Sequence, residues 1–249
     1  MSERLRKIIE ENKKFEKESP YNFCDRWCER CDHQKRVRCR LYLDEFERKA
    51  TCIAYGKDED DSEITQAVIE AQYKEVDALL NSHIEKFGID LDNPDISEDD
   101  LSEEGIIDFA DLPQDIQKHI RFVENNPLEC AAKQYRKKAH AFLEANFYKD
   151  VATKPELKYD FETISWYHAL LEVKLHRALC GFHEPASEGD ISLCDAVAQF
   201  EICKKAARQS IEALRKIKEN FPACQKQIAE IIAILHNIHS RIQAILESI

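Results

Sequence analysis

Five glycines and seven prolines in 249 residues leave this chain little with which to build tight turns. Strand-rich folds need such turns every few residues, and they draw on glycine at positive φ and on the fixed φ of proline. The scarcity therefore points to long helices joined by few bends. Charged residues at 34% and hydrophobic residues at 43% are a globular composition, and a chain of this length buries a core without disulfide help.

Apolar residues spaced three and four apart predict the helices. They fall over 3–17, about 40–54, 62–87, 113–124, onward from Leu128, 156–182, 190–221 and from Pro222 to the C-terminus. The last stripe runs Ile228, Ile231, Leu235, Ile238, Ile242, Ile245 and Ile249. Ser19-Pro20 breaks the first helix. Ser62 is placed to cap the segment that carries Val76, Leu79 and Leu80 in its stripe, and Gly88 to stop it. The later connections are short, so successive helices must run antiparallel. The expected fold is all-α: an antiparallel helical bundle of four to five long helices with a small N-terminal four-cysteine metal-binding module. The module spans 1–56 and the bundle 57–249, with an acidic linker at about 88–112. Asp90 and Asp92 open that linker like a calcium loop, but the glycine at its sixth position and the glutamate at its twelfth are missing.

Four cysteines demand chemistry rather than packing: Cys24, Cys28, Cys31 and Cys39, spaced C-x3-C-x2-C-x7-C. Thiolates so close together repel one another unless a cation sits among them, and four suffice for one centre. Structural zinc usually takes two separate Cys-x-x-Cys knuckles, and only Cys28 to Cys31 has that form, without the glycine that commonly relaxes it. Three cysteines in close series plus a distant fourth place a [4Fe-4S] cluster slightly ahead of Zn2+, with His33 a substitute ligand in either case. Arg26, Arg30 and Arg38 would moderate the negative charge and Trp27 would shield one side. Cys52, Cys130, Cys180, Cys194, Cys203 and Cys224 read as small buried apolar residues.

The triplet Cys24-x3-Cys28-x2-Cys31 resembles the cluster motif of radical S-adenosylmethionine enzymes. That resemblance implies a βα barrel and one open iron site; no alternation of strand and helix follows here, and Cys39 stands where a fourth ligand would. Arg177-x5-His183 resembles the ribonuclease motif of the HEPN helical family, which would make the histidine a general acid or base and the arginine a phosphate holder. Ala178 departs from that motif, which usually has a polar residue there.

A second polar constellation lies in the expected bundle. His168, Glu172 and His176 line one helix face, His140 and Glu144 another, and His236 and His239 a third. Histidines and carboxylates projecting into a bundle can hold two metal ions, but the Glu-x-x-His element of such centres occurs nowhere in the chain. A pair between Arg177 and Glu201 is expected between neighbouring helices.

The net charge of −12 argues against a whole-chain nucleic-acid binder. The N-terminus has no signal-type apolar run and no segment reaches the length of an uncharged membrane span, so a reducing cytoplasmic setting is expected. The function these features support is non-enzymatic: a four-cysteine centre organises the N-terminal module for binding a protein or small molecule, not nucleic acid or membrane. The alternative is a redox or di-metal enzyme that uses the cysteine cluster as an electron relay or a His/Glu site inside the bundle.

Overall fold

The computed structural model describes residues 2–87, 109–183 and 190–249, and every regular element among them is helical. In chain order these are α1 (Glu3–Glu18), α2 (His33–Arg36), α3 (Arg40–Ala54), α4 (Ser62–Phe87), α5 (Gln114–Glu124), α6 (Pro127–Thr153), α7 (Lys158–Phe182), α8 (Asp190–Asn220) and α9 (Gln225–Ser248). Most of the acidic stretch expected as a linker, with Gly88 and the calcium-loop-like aspartates, lies outside the described residues. Among the described residues no helix is long and apolar enough to cross a membrane. The chain divides into two compact units: Met1–Cys31 with Pro113–Ile249, and Asp32–Leu112.

In the larger unit α6, α7, α8 and α9 close into a four-helix ring, each packed on the two beside it. Paired side chains give the directions. From Arg136 to His140 to Phe142 on α6, the partners on α7 descend from Glu172 to His168 to Phe161. From Arg177 to Tyr167 to Asp160 on α7, the partners on α8 ascend from Asp195 to Gln209 to Lys216. Lys138 meets Glu230, and Asn146 meets Cys224 at the start of α9. Neighbours are thus antiparallel all round, as the short connections require.

The expected stripes fill the interior. Phe142, Phe161, Ile164, Leu171, Leu175, Phe200, Leu214, Ile231, Leu235 and Ile238 are all essentially solvent-free. Each such side chain contributes about 1.5–3 kcal/mol on burial. Tyr135 is also fully buried; its hydroxyl lies 3.1 Å from Ser210 Oγ, so its polar end is satisfied. Local chemistry sets the helix ends. Asn126 Oδ1 accepts the Leu128 N–H at 2.9 Å and Pro127 occupies the first helical position of α6, which explains the break after α5. α1 docks on α8 through buried Leu5 and Ile8, with Asn12 Nδ2 donating to the Cys194 carbonyl at 2.8 Å.

In the smaller unit α3 and α4 form an antiparallel hairpin, with Cys52 near Thr65, Glu47 bonded to Gln72 and Arg40 near Glu75. Gly56, at φ +69°, closes α3: its N–H reaches the Ile53 carbonyl at 2.9 Å and the Lys57 N–H reaches the Cys52 carbonyl at 3.0 Å. Only glycine adopts that left-handed turn without penalty. Asp61, not Ser62, caps α4, because its Oδ1 accepts the Ile64 N–H at 3.1 Å and Ser62 is already helical. Val76, Leu79 and Leu80, expected in an apolar stripe, are exposed, since α3 begins opposite Glu75 and they lie on the part of α4 that runs beyond it.

Gly181 marks a close approach of α7 and α8: a Cβ there would lie 2.8 Å from the Ser192 carbonyl oxygen. Alanine is favoured over glycine in a helix by about 1 kcal/mol. Backbone that cannot retreat reverses the sign here. Gly181→Ala is expected to lower the thermal midpoint, measured by circular dichroism, despite its better propensity.

Candidate metal centre

The cysteine-bearing segment leaves α1 through a 3-10 turn at Pro20–Phe23 and makes a second at Cys28–Arg30. Three of its side chains fasten it to α7 and α8. Asp25 is the first. Its carboxylate takes Lys205 Nζ at 2.7 Å and the Tyr167 hydroxyl at 2.8 Å, and its backbone carbonyl accepts Trp166 Nε1 at 2.8 Å. Burial pushes the Asp25 carboxyl up, but the hydrogen bonds from Lys205 and Tyr167 and the lysine charge together outweigh it and hold the group below its ordinary 3.8. Burial and the neighbouring carboxylate push the Tyr167 phenol well up, so it remains a donor.

Trp27 is the second anchor. Its ring stacks on Trp166 at 5.4 Å and meets the edge of Tyr167 at 5.7 Å, so the two tryptophans of the chain lie together. Arg30 is the third. Its guanidinium carbon sits 3.3 Å from the Trp27 ring centroid and 3.4 Å from that of Tyr159, a sandwich between two aromatic faces. The same group donates to Thr163 Oγ1 at 2.8 Å and pairs with Glu162 at 3.2 Å. A half-shielded cation–π contact contributes about 1 kcal/mol, and the planar guanidinium alone can make two of them while donating in its plane.

Between the first two anchors Arg26 is forced to φ +54°, the one described non-glycine residue in the left-handed region. That conformation costs about 1–2 kcal/mol and persists because the residues on either side are fixed. Its consequence is local: the Arg26 N–H points at Cys24 Sγ, 3.4 Å away. Amide donors aimed at sulfur favour its anionic, metal-ligating form. Burial, followed by the nearby charges of Arg177 and Arg26, lowers the pKa of Lys174.

The four expected ligands divide between the units. Cys24, Cys28 and Cys31 are half-buried in the larger one; Cys39 is buried in the smaller, at the residue preceding α3. Among the described residues no three His, Cys, Asp or Glu side chains are gathered as a ready metal site. Trp27 and Arg30, expected around the thiols, spend their contacts on α7. Of the remaining cysteines, Cys52, Cys194 and Cys203 are buried as expected, Cys180 and Cys224 are half-buried, and Cys130 is exposed.

The second constellation is also dispersed. Glu172 pairs with Arg136 at 3.2 Å and His176 with Glu129 at 3.3 Å, rather than with each other. His140 and His168 do meet, ring on ring at 5.7 Å. His236 contacts Arg215. Arg177 binds Asp195 through two 2.7 Å bonds, and Glu201, its expected partner, takes Lys204 instead. Asp25, Tyr159, Thr163 and Lys205 belong to no sequence motif; the signal that could have found them is the aromatic face of α7, where Tyr159, Trp166 and Tyr167 stand seven and eight residues apart. No known protein family matches this chain, and no curated protein or solved structure does.

Two measurements check the anchorage. Arg26→Gly is expected to leave stability unchanged or raise it by up to about 1 kcal/mol, and Arg26→Val to lower it by about 1–2 kcal/mol, in denaturant titrations. Because the Asp25 carboxyl is depressed in the folded chain, its contribution is fully present above 3.8 and is lost as pH falls through its lower folded value. Asp25→Asn should therefore be destabilising at pH near 6, and the gap from the parent chain should narrow as pH falls below 3.8, read from unfolding midpoints.

Proposed function

We propose that this is a non-enzymatic metal-binding helical protein in which Cys24, Cys28, Cys31 and Cys39 ligate one centre, a [4Fe-4S] cluster ahead of Zn2+. The centre organises the N-terminal segment for a protein or small-molecule partner. The observation that carries this reading is the Arg26 N–H aimed at Cys24 Sγ from a left-handed backbone. Arg26 is kept in that conformation by Asp25 and Trp27 on either side, which are fixed on α7 and α8. Binding is favoured over redox or di-metal catalysis because the bundle's own histidines and carboxylates pair off with cations and with each other.

Elemental analysis of protein purified without oxygen tests the reading. The expected result is one centre per chain, brown with absorbance near 400 nm for iron–sulfur and colourless for zinc, and lost in Cys28→Ser. Chelation should leave most of the helical circular dichroism, since the bundle core contains none of the four thiols. Protein that holds no metal, and takes up neither zinc nor iron and sulfide on reconstitution, would overturn it.

A further inference from the structure

The outer seam of α6 and α7 carries a groove of about 400 Å³ whose charge runs against that of the chain as a whole. Lys133, Arg136, Lys137 and His140 line it from α6, and His168 and Glu172 from α7. Within the lining three permanent cations face one carboxylate, on a chain whose net charge is −12, while Glu129 and Glu144 pair from beside it with Lys133 and His140. The antiparallel register of the two helices creates this concentration, since His140 and Arg136 descend one side as His168 and Glu172 ascend the other.

The histidines are held in a defined way. The rings lie 5.7 Å apart and within 12° of parallel. His168 Nδ1 is 2.6 Å from the Ser165 carbonyl oxygen, an acceptor only, so Nδ1 carries a proton. Nε2 is the nitrogen left for the groove. His140 Nε2 leans on Glu144 at 3.4 Å. Arg136 reaches Glu172 with one terminal nitrogen at 3.2 Å, which leaves donors of its fork for a second anion. Lys133 is shared with the buried carboxylate of Glu129, whose Oε1 also takes His176.

We propose that this groove binds the phosphate group of a small anionic ligand, with Arg136 and the two lysines gripping the oxygens and His168 Nε2 closing on one of them. A tetrahedral anion suits a lining in which cations outnumber carboxylates and His168 can add a further positive charge, and arginine's fork matches its oxygens. The volume falls in the lower part of the range of small-molecule sites and leaves room for an organic portion. Proton uptake accompanies binding. In the free chain burial lowers the His168 pKa below its ordinary 6.5, and the nearby His140 and Arg136 lower it further, against the pull of the Ser165 and Ile164 carbonyls. Nε2 can donate to a phosphate oxygen only when the ring is doubly protonated, and the anion stabilises that form. The groups that face it are Arg136, His140 and both lysines from α6 and Glu172 from its own helix. The site is independent of the cysteine segment and of any metal there.

Sulfate is the probe for the pH dependence, because its charge is constant through this range. Calorimetry should show saturable binding at pH 5.5 that weakens about tenfold for each unit by which the anion raises the His168 pKa, complete by pH 8, with proton uptake seen by changing the buffer. The His140 and His168 ring resonances should move with saturation, beyond any change produced by chloride at equal ionic strength. Arg136→Gln should abolish binding. Glu172→Gln, which frees Arg136, should tighten it, a gain that loss of folding cannot mimic. Inorganic phosphate and glycerol 2-phosphate, compared at pH 8, separate the sources: tighter binding of the ester assigns an esterified phosphate, and equal binding assigns free phosphate. Resonances that follow chloride alone, or Glu172→Gln and Arg136→Gln binding sulfate alike, would overturn the proposal.

Discussion

The seating of α7 between two antiparallel neighbours decides the rest of the larger unit. Its inner face, Phe161, Ile164, Leu171 and Leu175, is fully buried. A helix locked by that much apolar surface has no rotational freedom left. Its two flanks are then fixed as well. The flank toward α8 carries Tyr159, Thr163, Trp166 and Tyr167, which hold Asp25, Trp27 and Arg30 of the cysteine segment. The flank toward α6 brings His168 against His140 and Glu172 against Arg136. One packing event therefore sets both the platform for the thiols and the cationic groove.

The bundle is legible in the sequence because its signal is local. Spacing of three and four residues identifies a buried face within a single helix, and α3 and the apolar stripes of α7, α8 and α9 follow from it nearly as expected. Helix ends are legible where the cap chemistry is unambiguous, as at Pro127; they shift by one residue where two capping side chains compete, as at Asp61 and Ser62, and by three at Pro222, where a 3-10 turn precedes α9. The anchors are not legible. Asp25 meets Lys205 across 180 residues and Arg30 meets Thr163 across 133. No pattern along the chain specifies the rotation of α7 against the segment that docks on it. The same lack of interhelical register in the sequence explains why Glu201 is the expected partner of Arg177 and Asp195, nearer the start of α8, the actual one.

Residues conspicuous in the sequence for their charge act through their shape. Arg30, expected to neutralise thiolates, has its plane occupied by two aromatic rings and its nitrogens by Thr163, Glu162 and the Tyr159 carbonyl. A lysine could supply the charge and none of that geometry. His168, at an apolar position of its helix, lies half-buried at the seam, one nitrogen satisfied by its own backbone. Both positions are amphipathic: an apolar flank packs while a polar edge remains addressed to a specific partner.

The anchorage also bears on what a metal would do. Small metal modules that lack a core fold only when the ion arrives, so the binding free energy is spent on ordering the chain. Here the ordering of the 24–31 segment already comes from Asp25, Trp27 and Arg30 against a core that stands without it. The left-handed strain at Arg26 is likewise sustained by protein contacts. A centre formed by these thiols would therefore draw its affinity from thiolate chemistry and the directed amide, rather than from folding. It would add to the segment a charge and a rigidity that a partner can read, and its loss would leave the helical bundle intact.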